Sequence, residues 1–316
     1  PATGQRTVSA NVIEDFVGDE VFVYIDDGTG LVPSTQPLAT DTLSAPVAIN
    51  DYALSVVDAS TFPSSGFVLI EEDSVLNPSE LVEVIAKNES TNQILLAAPT
   101  TGVHVASTSV VFVDVITQAA ETGRRRFQLQ NPPIVRGTDR IFMDPGSGTI
   151  ELAPGVDYVL NRGTGEFQLT DESGTSAGAK IFAYYTYYTN LIARVQRVLE
   201  GDSRNTLAFP GVKAAGIFVS VEAPTIRRIT VIASIAAETG FVEADLREAV
   251  RQQIEAYISS RRLGDDVILS KLIDVAHNVP GVKDVNISTP TANITILENE
   301  LSIPSSSDGT SLITIL

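Results

Sequence analysis

Apolar residues in the first two thirds of the chain come in short runs. Phe67-Val68-Leu69-Ile70, Leu81-Val82-Glu83-Val84-Ile85, Gln93-Ile94-Leu95-Leu96 and Val110-Val111-Phe112-Val113 are each four or five residues long and rich in β-branched side chains. Runs of this kind bounded by turn residues predict strands. Asn88-Glu89-Ser90-Thr91-Asn92, between two of them, has hairpin-turn chemistry. Residues 46–116 are therefore expected to form a small β-sandwich or barrel. Ahead of it, Val21 to Ile25 reads as a short strand that ends at Asp26-Asp27-Gly28-Thr29-Gly30, and 33–45 has no periodicity. We read 1–45 as an N-terminal segment and linker.

Residues 117–189 predict a second β module. Its clearest hairpin runs from Gly155 to Leu169, with Gly163 and Gly165 expected to supply the positive φ of a tight loop. Ile181 to Tyr188 alternates imperfectly and carries Phe182, Tyr184, Tyr185, Tyr187 and Tyr188. Such a ladder is expected to be a strand packed on both faces, the alternative being a platform for stacking sugars.

The period changes near residue 190. Leu191, Val195, Val198 and Leu199 fit a short connecting helix within 190–209. In 210–316, Ile229 to Ile235 predicts a strand, and Val242 to Ser260 a helix. Along that helix Leu246, Val250, Ile254, Tyr257 and Ile258 recur at three- and four-residue steps. Glu243 and Asp245 suit its first turn, Arg261 and Arg262 its end, and Gly264 its stop. A second helix is expected with Ser270 as its cap and Val279-Pro280-Gly281 as its end. Strands are expected at 282–287, 292–296 and 312–316. The fold class is α+β and mostly β: two consecutive small β domains, then an α+β sandwich of two helices on a mostly antiparallel sheet.

Composition narrows the chemistry. The 316 residues contain no Cys, one Met and two His, which excludes thiol catalysis, thiolate zinc sites and disulfide frameworks. No apolar run approaches the ~18 residues of a membrane-spanning helix. The net charge of −18 argues against nucleic acid. That charge is uneven: residues 1–116 hold sixteen Asp/Glu against Arg6 and Lys87, whereas 117–316 hold 23 against 19 basic residues. The front is expected to stay hydrated and the rear to tolerate close packing. His104 and His277 sit in no metal pattern, and Asp26-Asp27-Gly28 lacks the spacing of a calcium loop. Glu71-Glu72-Asp73 reads as a solvated acidic loop. Arg124-Arg125-Arg126 lacks basic flanks and suits an acidic protein face better than a nucleic acid. No metal, cofactor or catalytic constellation is expected.

Several stretches together suggest a family. Ile254-Glu255-Ala256-Tyr257-Ile258, Leu263-Gly264-Asp265-Asp266-Val267, Ser270-Lys271-Leu272-Ile273 and Val279-Pro280-Gly281-Val282-Lys283-Asp284-Val285 resemble the C-terminal domain of the baseplate J-like proteins. Upstream, Gly155-Val156-Asp157-Tyr158, Asn161 to Glu166, Tyr184 to Tyr188, Glu200-Gly201-Asp202 and Phe209-Pro210-Gly211 are similar to phage members. The resemblance implies a non-enzymatic structural subunit of a phage tail baseplate, located in the virion and assembled in the host cytoplasm. Its implied partners are itself, the hub, a second wedge component, and sheath or tail-fibre adaptors, with neither nucleic acid nor membrane among them. It implies wedges that join in a ring around the hub, mainly in contractile tails, and that rearrange on host attachment. Carried onto this chain, the candidate interface comprises Leu246, Val250, Ile254, Tyr257, Arg261, Arg262 and Gly264, with Arg124, Arg125 and Arg126 added from the charge pattern. Family members often have a further region before the segment matched by Pro1 onward, so a compact member and a piece of a longer product both stay open. From another class, the alternative is a β-rich adhesion protein binding cell-surface glycan through Tyr184 to Tyr188.

Overall fold

In a computed structural model, residues 9–15, 20–26, 35–72, 79–117, 120–146, 148–171, 174–201, 206–213, 217–306 and 309–316 are described. The turn Asp27-Gly28-Thr29-Gly30, Asp73 and Asp202 lie outside them. The chain divides into two units, Ser34–Thr189 and Pro1–Pro33 with Asn190–Leu316.

The Ser34–Thr189 unit is β throughout, apart from a single 3-10 turn at Ala59–Thr61 among its described residues. Six strands close a barrel in the order Thr40–Thr42, Ser109–Thr117, Gly66–Ile70, Glu80–Asn88, Gln93–Leu96 and Ala53–Ser55. Closure comes from the bridge between Leu43 and Val56, with Ser44 N–H donating to the Ser55 carbonyl at 2.9 Å. The alternate residues that the strand pattern turns inward, among them Leu54, Val68, Ile70, Val84, Ile94 and Val110, fill the interior. The expected hairpin turn is present: Asn88 Oδ1 accepts from Ser90 N–H at 3.1 Å, and Asn92 takes the left-handed φ of 51°.

The Ser109–Thr117 strand runs past the barrel and pairs with Lys180–Tyr184, which pairs with Arg140–Asp144 and then Ile150–Leu152. A separate three-stranded sheet, Arg126–Gln128, Glu166–Leu169 and Tyr158–Asn161, packs over this extension. Residues 46–116 and 117–189 thus share one sheet while keeping two apolar cores. Leu69, Val111 and Val113 on the barrel's outer wall are sealed by Phe142 and Phe182, stacked at 5.3 Å. In the Tyr158–Leu169 hairpin only Gly165, at φ 75°, takes the left-handed conformation; Gly163 does not.

In the other unit, the rear elements form where their pattern places them. Helices α1 (Asn190–Glu200), α2 (Glu243–Ser259) and α3 (Leu269–His277) are joined by strands Val231–Ala237, Val282–Thr289 and Ile313–Ile315. The sheet order is Val282–Thr289, Val231–Ala237, Ile313–Ile315, the first pair antiparallel and the second parallel. α2 and α3 pack on it around Leu246, Val250, Ile254, Ile258, Leu272 and Ala276. Two boundaries differ from the pattern. Ile268, not Ser270, is the N-cap of α3, because an extended backbone there already starts the helix. The 292–296 run contributes only a bridge between Val267 and Ile294, and Glu300–Ile303 is the strand that follows.

Residues 1–45, read as an N-terminal segment and linker, are divided between the units, and the strand expected at Val21 to Ile25 is present as Glu20–Asp26. Ser9–Asp15 and Glu20–Asp26 form a hairpin whose second strand runs parallel to Phe218–Glu222. Phe22 and Tyr24 then pack with Leu263, Leu301 and Ile303. The free edge of Phe218–Glu222 is closed by one side chain of α1. Gln196 Nε2 donates to the Val219 carbonyl at 2.8 Å, and its Oε1 accepts from Val221 N–H at 2.7 Å. A carboxamide in this position does what a neighbouring strand's peptide group would do.

Candidate functional site

The helical stripe is the first candidate surface, and its apolar members do not face outward. Leu246, Val250 and Ile254 are 5%, 0% and 0% exposed and belong to the domain's own core. They are closed to a partner while the domain is folded, which corrects the expectation that they form an interface. The reason is general: a 3.6-residue period shows that one face is buried, not whether its own domain or another chain buries it. The opposite face of α2 is charged and largely self-satisfied. Arg247 pairs with Glu243 at 2.7 Å, and Arg251 bridges Glu248 and Glu255.

The helix's C-terminal end is more open. Tyr257 is half-buried, and its hydroxyl accepts from Ile268 N–H at 3.2 Å. The Arg261 guanidinium lies 4.7 Å above the Tyr257 ring, with Nη2 donating to Ser260 Oγ at 3.3 Å. Its Nε is buried without an acceptor. Arg262 is exposed, and its backbone N–H donates to Asp265 at 3.0 Å. Gly264, at φ 78°, is a packing position: a Cβ there would sit 3.1 Å from Asn11 Nδ2 and 3.3 Å from Glu298 Cα. Of the seven rear candidates, Arg261 and Arg262 carry the charge that a partner could reach.

The three consecutive arginines do different things. Arg125 is used internally, donating to the Leu169 carbonyl at 3.2 and 3.0 Å and to that of Thr170 at 3.3 Å. Arg124 lies 4.9 Å over the Phe127 ring, and Arg126 donates to Gln168 Oε1 at 3.2 Å; both are exposed. Strand alternation separates them, since Phe127 between Arg126 and Gln128 points into the core.

Within the tyrosine ladder, Tyr184 and Tyr187 are half-buried, and the other two are closed to a stacking sugar. Tyr185 is fully buried and Tyr188 nearly so. The strand breaks at Tyr185, whose hydroxyl donates to Asp114 Oδ2 at 2.7 Å and accepts from Asn131 N–H at 3.3 Å. Burial raises the Asp114 carboxyl above its ordinary range despite donors from Tyr185 and the Gln130 backbone, and burial beside that carboxylate raises the Tyr185 hydroxyl too. A second buried pair has the same form: Tyr158 donates to Asp139 at 2.7 Å, and Arg162 donates to the other oxygen at 3.1 Å. Among the described residues, no group of three or more His, Asp and Glu could hold a metal, and no helix is long and apolar enough to cross a membrane.

His104, which sits in no metal pattern in the sequence, has a structural place in the β unit. It is wholly buried at the barrel end, with Nε2 3.3 Å from Glu80 and Nδ1 unpartnered. Glu80 also accepts from Thr101 N–H at 2.6 Å and Gly102 N–H at 3.1 Å, so it holds the turn before the histidine.

No curated protein matches the chain. Residues 229–305, which span the Val231–Ala237 strand, α2, α3 and the two strands after them, match the family model described as Baseplate J-like protein C-terminal domain. The match falls on the rear unit, where the residue resemblance is densest, and it supports a structural role in a phage baseplate. The C-terminal region of this chain is baseplate J-like.

Proposed function

We propose that the protein is a wedge-forming subunit of a phage or phage-like tail baseplate, working by assembly rather than by catalysis. The observation that carries this reading is the family match over 229–305. On this reading wedges meet in a ring around the central hub, and residues 210–316 supply ring contacts through the open Arg261–Arg262 end of α2. The acidic β region within 46–116 projects outward, hydrated by its own charge. Host contact loosens some interfaces and the ring rearranges.

The test is mass spectrometry of gradient-purified particles, with peptides of this chain quantified against a tail-tube protein. Recovery at a multiple of six per particle is expected on ring geometry. Recovery only outside particles would overturn the reading.

A further inference from the structure

One end of the barrel carries an apolar tip that neither core uses. Val47 and His104 form an antiparallel bridge, exchanging hydrogen bonds of 2.8 and 3.0 Å, and both side chains point inward. That register sets Pro46 opposite Val105 and Ala48 opposite Val103 on the outer face. Val103 and Val105 are 46% and 53% exposed, and the neighbouring Ile49 is 54% exposed. Residues 43–50 and 97–110 contain no Asp, Glu, Lys or Arg.

The surroundings are the reverse. Residues 40–117 carry ten Asp/Glu and one Lys. That lysine, Lys87, is already 2.8 Å from Glu89 and 3.1 Å from the Ser60 carbonyl. The apolar tip thus sits on an acidic barrel with the Asp51 and Glu80 carboxylates beside it, an apolar centre with negative charge at its edge. The tip is also held in shape. Asp51 accepts from Ala48 N–H at 2.7 Å, Thr100 Oγ1 donates to the Ala48 carbonyl at 2.7 Å, and Glu80 fixes the turn at Thr101 and Gly102. Preorganisation of this kind lowers the entropy cost of docking.

We propose that this tip docks into a protein partner presenting an apolar pocket ringed by Lys and Arg. Charge decides between occupants. A second copy would set one acidic barrel against another, and an anionic lipid surface would repel the same carboxylates, whereas a basic rim meets them. The inference is independent of the assembly role proposed for the C-terminal domain.

The experiment uses the full chain and a labelled peptide of alternating Leu and Lys, with a Ser/Lys peptide as control, read by fluorescence anisotropy at low and high salt. The Leu/Lys peptide is expected to bind at least about tenfold more tightly than the control, and less tightly as salt rises. Val103→Ser with Val105→Ser should remove that tenfold preference, and Val159→Ser, exposed on another sheet, should not. If the serine pair unfolds the barrel, Val103→Thr with Val105→Thr keeps the β-branching and gives the same readout. Undiminished preference in the double variant would overturn the proposal. So would self-association of the wild type that the variant lacks, or flotation of the wild type with phosphatidylglycerol vesicles.

Discussion

The α/β core of residues 229–316 and the β unit of Ser34–Thr189 are stabilised by different means. Around α2 and α3 the buried cluster is apolar, and the helix keeps its charges outside, paired along its own surface. The β unit instead buries His104, Asp114 and Asp139, each tied to a partner distant in sequence. Apolar burial is non-directional and tolerates repacking as long as volume is kept. A buried carboxylate needs its donor in one place, so these contacts discriminate between strand registers as well as stabilising one of them. The helical core is therefore sensitive to losing area or gaining charge, and the β unit to losing one atom.

The sharpest way to break the contrast is to put charge into the apolar side. Leu246→Asp with Ile254→Asp should abolish folding of the C-terminal domain, since each buried unpaired carboxylate costs several kcal/mol. Loss of the helical circular-dichroism signal is the readout. Ile254→Ala alone should cost about 2–5 kcal/mol in urea unfolding. A smaller loss would mean that the site collapses around the cavity.

On the β side the corresponding change is a single oxygen. Tyr185→Phe keeps the ring and removes the donor to Asp114, leaving a buried acceptor with the Gln130 N–H alone. The expected cost is about 1–3 kcal/mol by denaturant titration. A result near zero would show that water replaces the hydroxyl and that the pair does not fix the register.

The same carboxylate gives a smaller, pH-dependent effect. Burial raises the Asp114 carboxyl above its ordinary value of 3.8. A group raised on folding contributes stability below its unfolded pKa and loses it as pH climbs through the folded one. Wild type should thus gain on Asp114→Asn as pH falls from neutrality toward 3.8, and lose ground as it rises. Parallel stability curves for the two proteins would contradict this.

What the sequence disclosed follows the same division. The α2 stripe was legible because its partners in the pattern lie three or four residues apart. So was the Asn88–Asn92 turn, whose hydrogen bonds are local. The ties from Asp114 to Tyr185 and from Glu80 to His104 span 71 and 24 residues, and no local period encodes them. For the same reason 1–45 read as an N-terminal segment and linker: the Val21 to Ile25 run was legible as a strand, but its parallel partner lies far off at Phe218–Glu222. Barrel closure rests on the single Leu43–Val56 bridge, too short to leave a pattern. For the candidate interface, the sequence shows residue types, apolar and basic, and nothing more. Which of them face outward is set by tertiary packing, which placed Leu246, Val250 and Ile254 inside.

The smallest expected effects sharpen the comparison at the surface, where the three arginines offer an internal control. Arg125 satisfies the carbonyls of Leu169 and Thr170, and Leu169 is itself buried, so Arg125→Ala should cost about 1 kcal/mol by stranding acceptors near the core. Arg126 is exposed, its guanidinium donating to the Gln168 side chain across the strand pair, and Arg262 is exposed with its backbone N–H donating to Asp265. Arg126→Ala and Arg262→Ala should each stay within about 0.5 kcal/mol of wild type. Thermal melts of the three variants at one pH decide the matter. If Arg126→Ala destabilises as much as Arg125→Ala, the triplet is a fold element throughout and leaves the list of partner contacts. If only Arg125 matters to stability, any loss of particle incorporation in Arg126→Ala or Arg262→Ala belongs to an interface rather than to the fold.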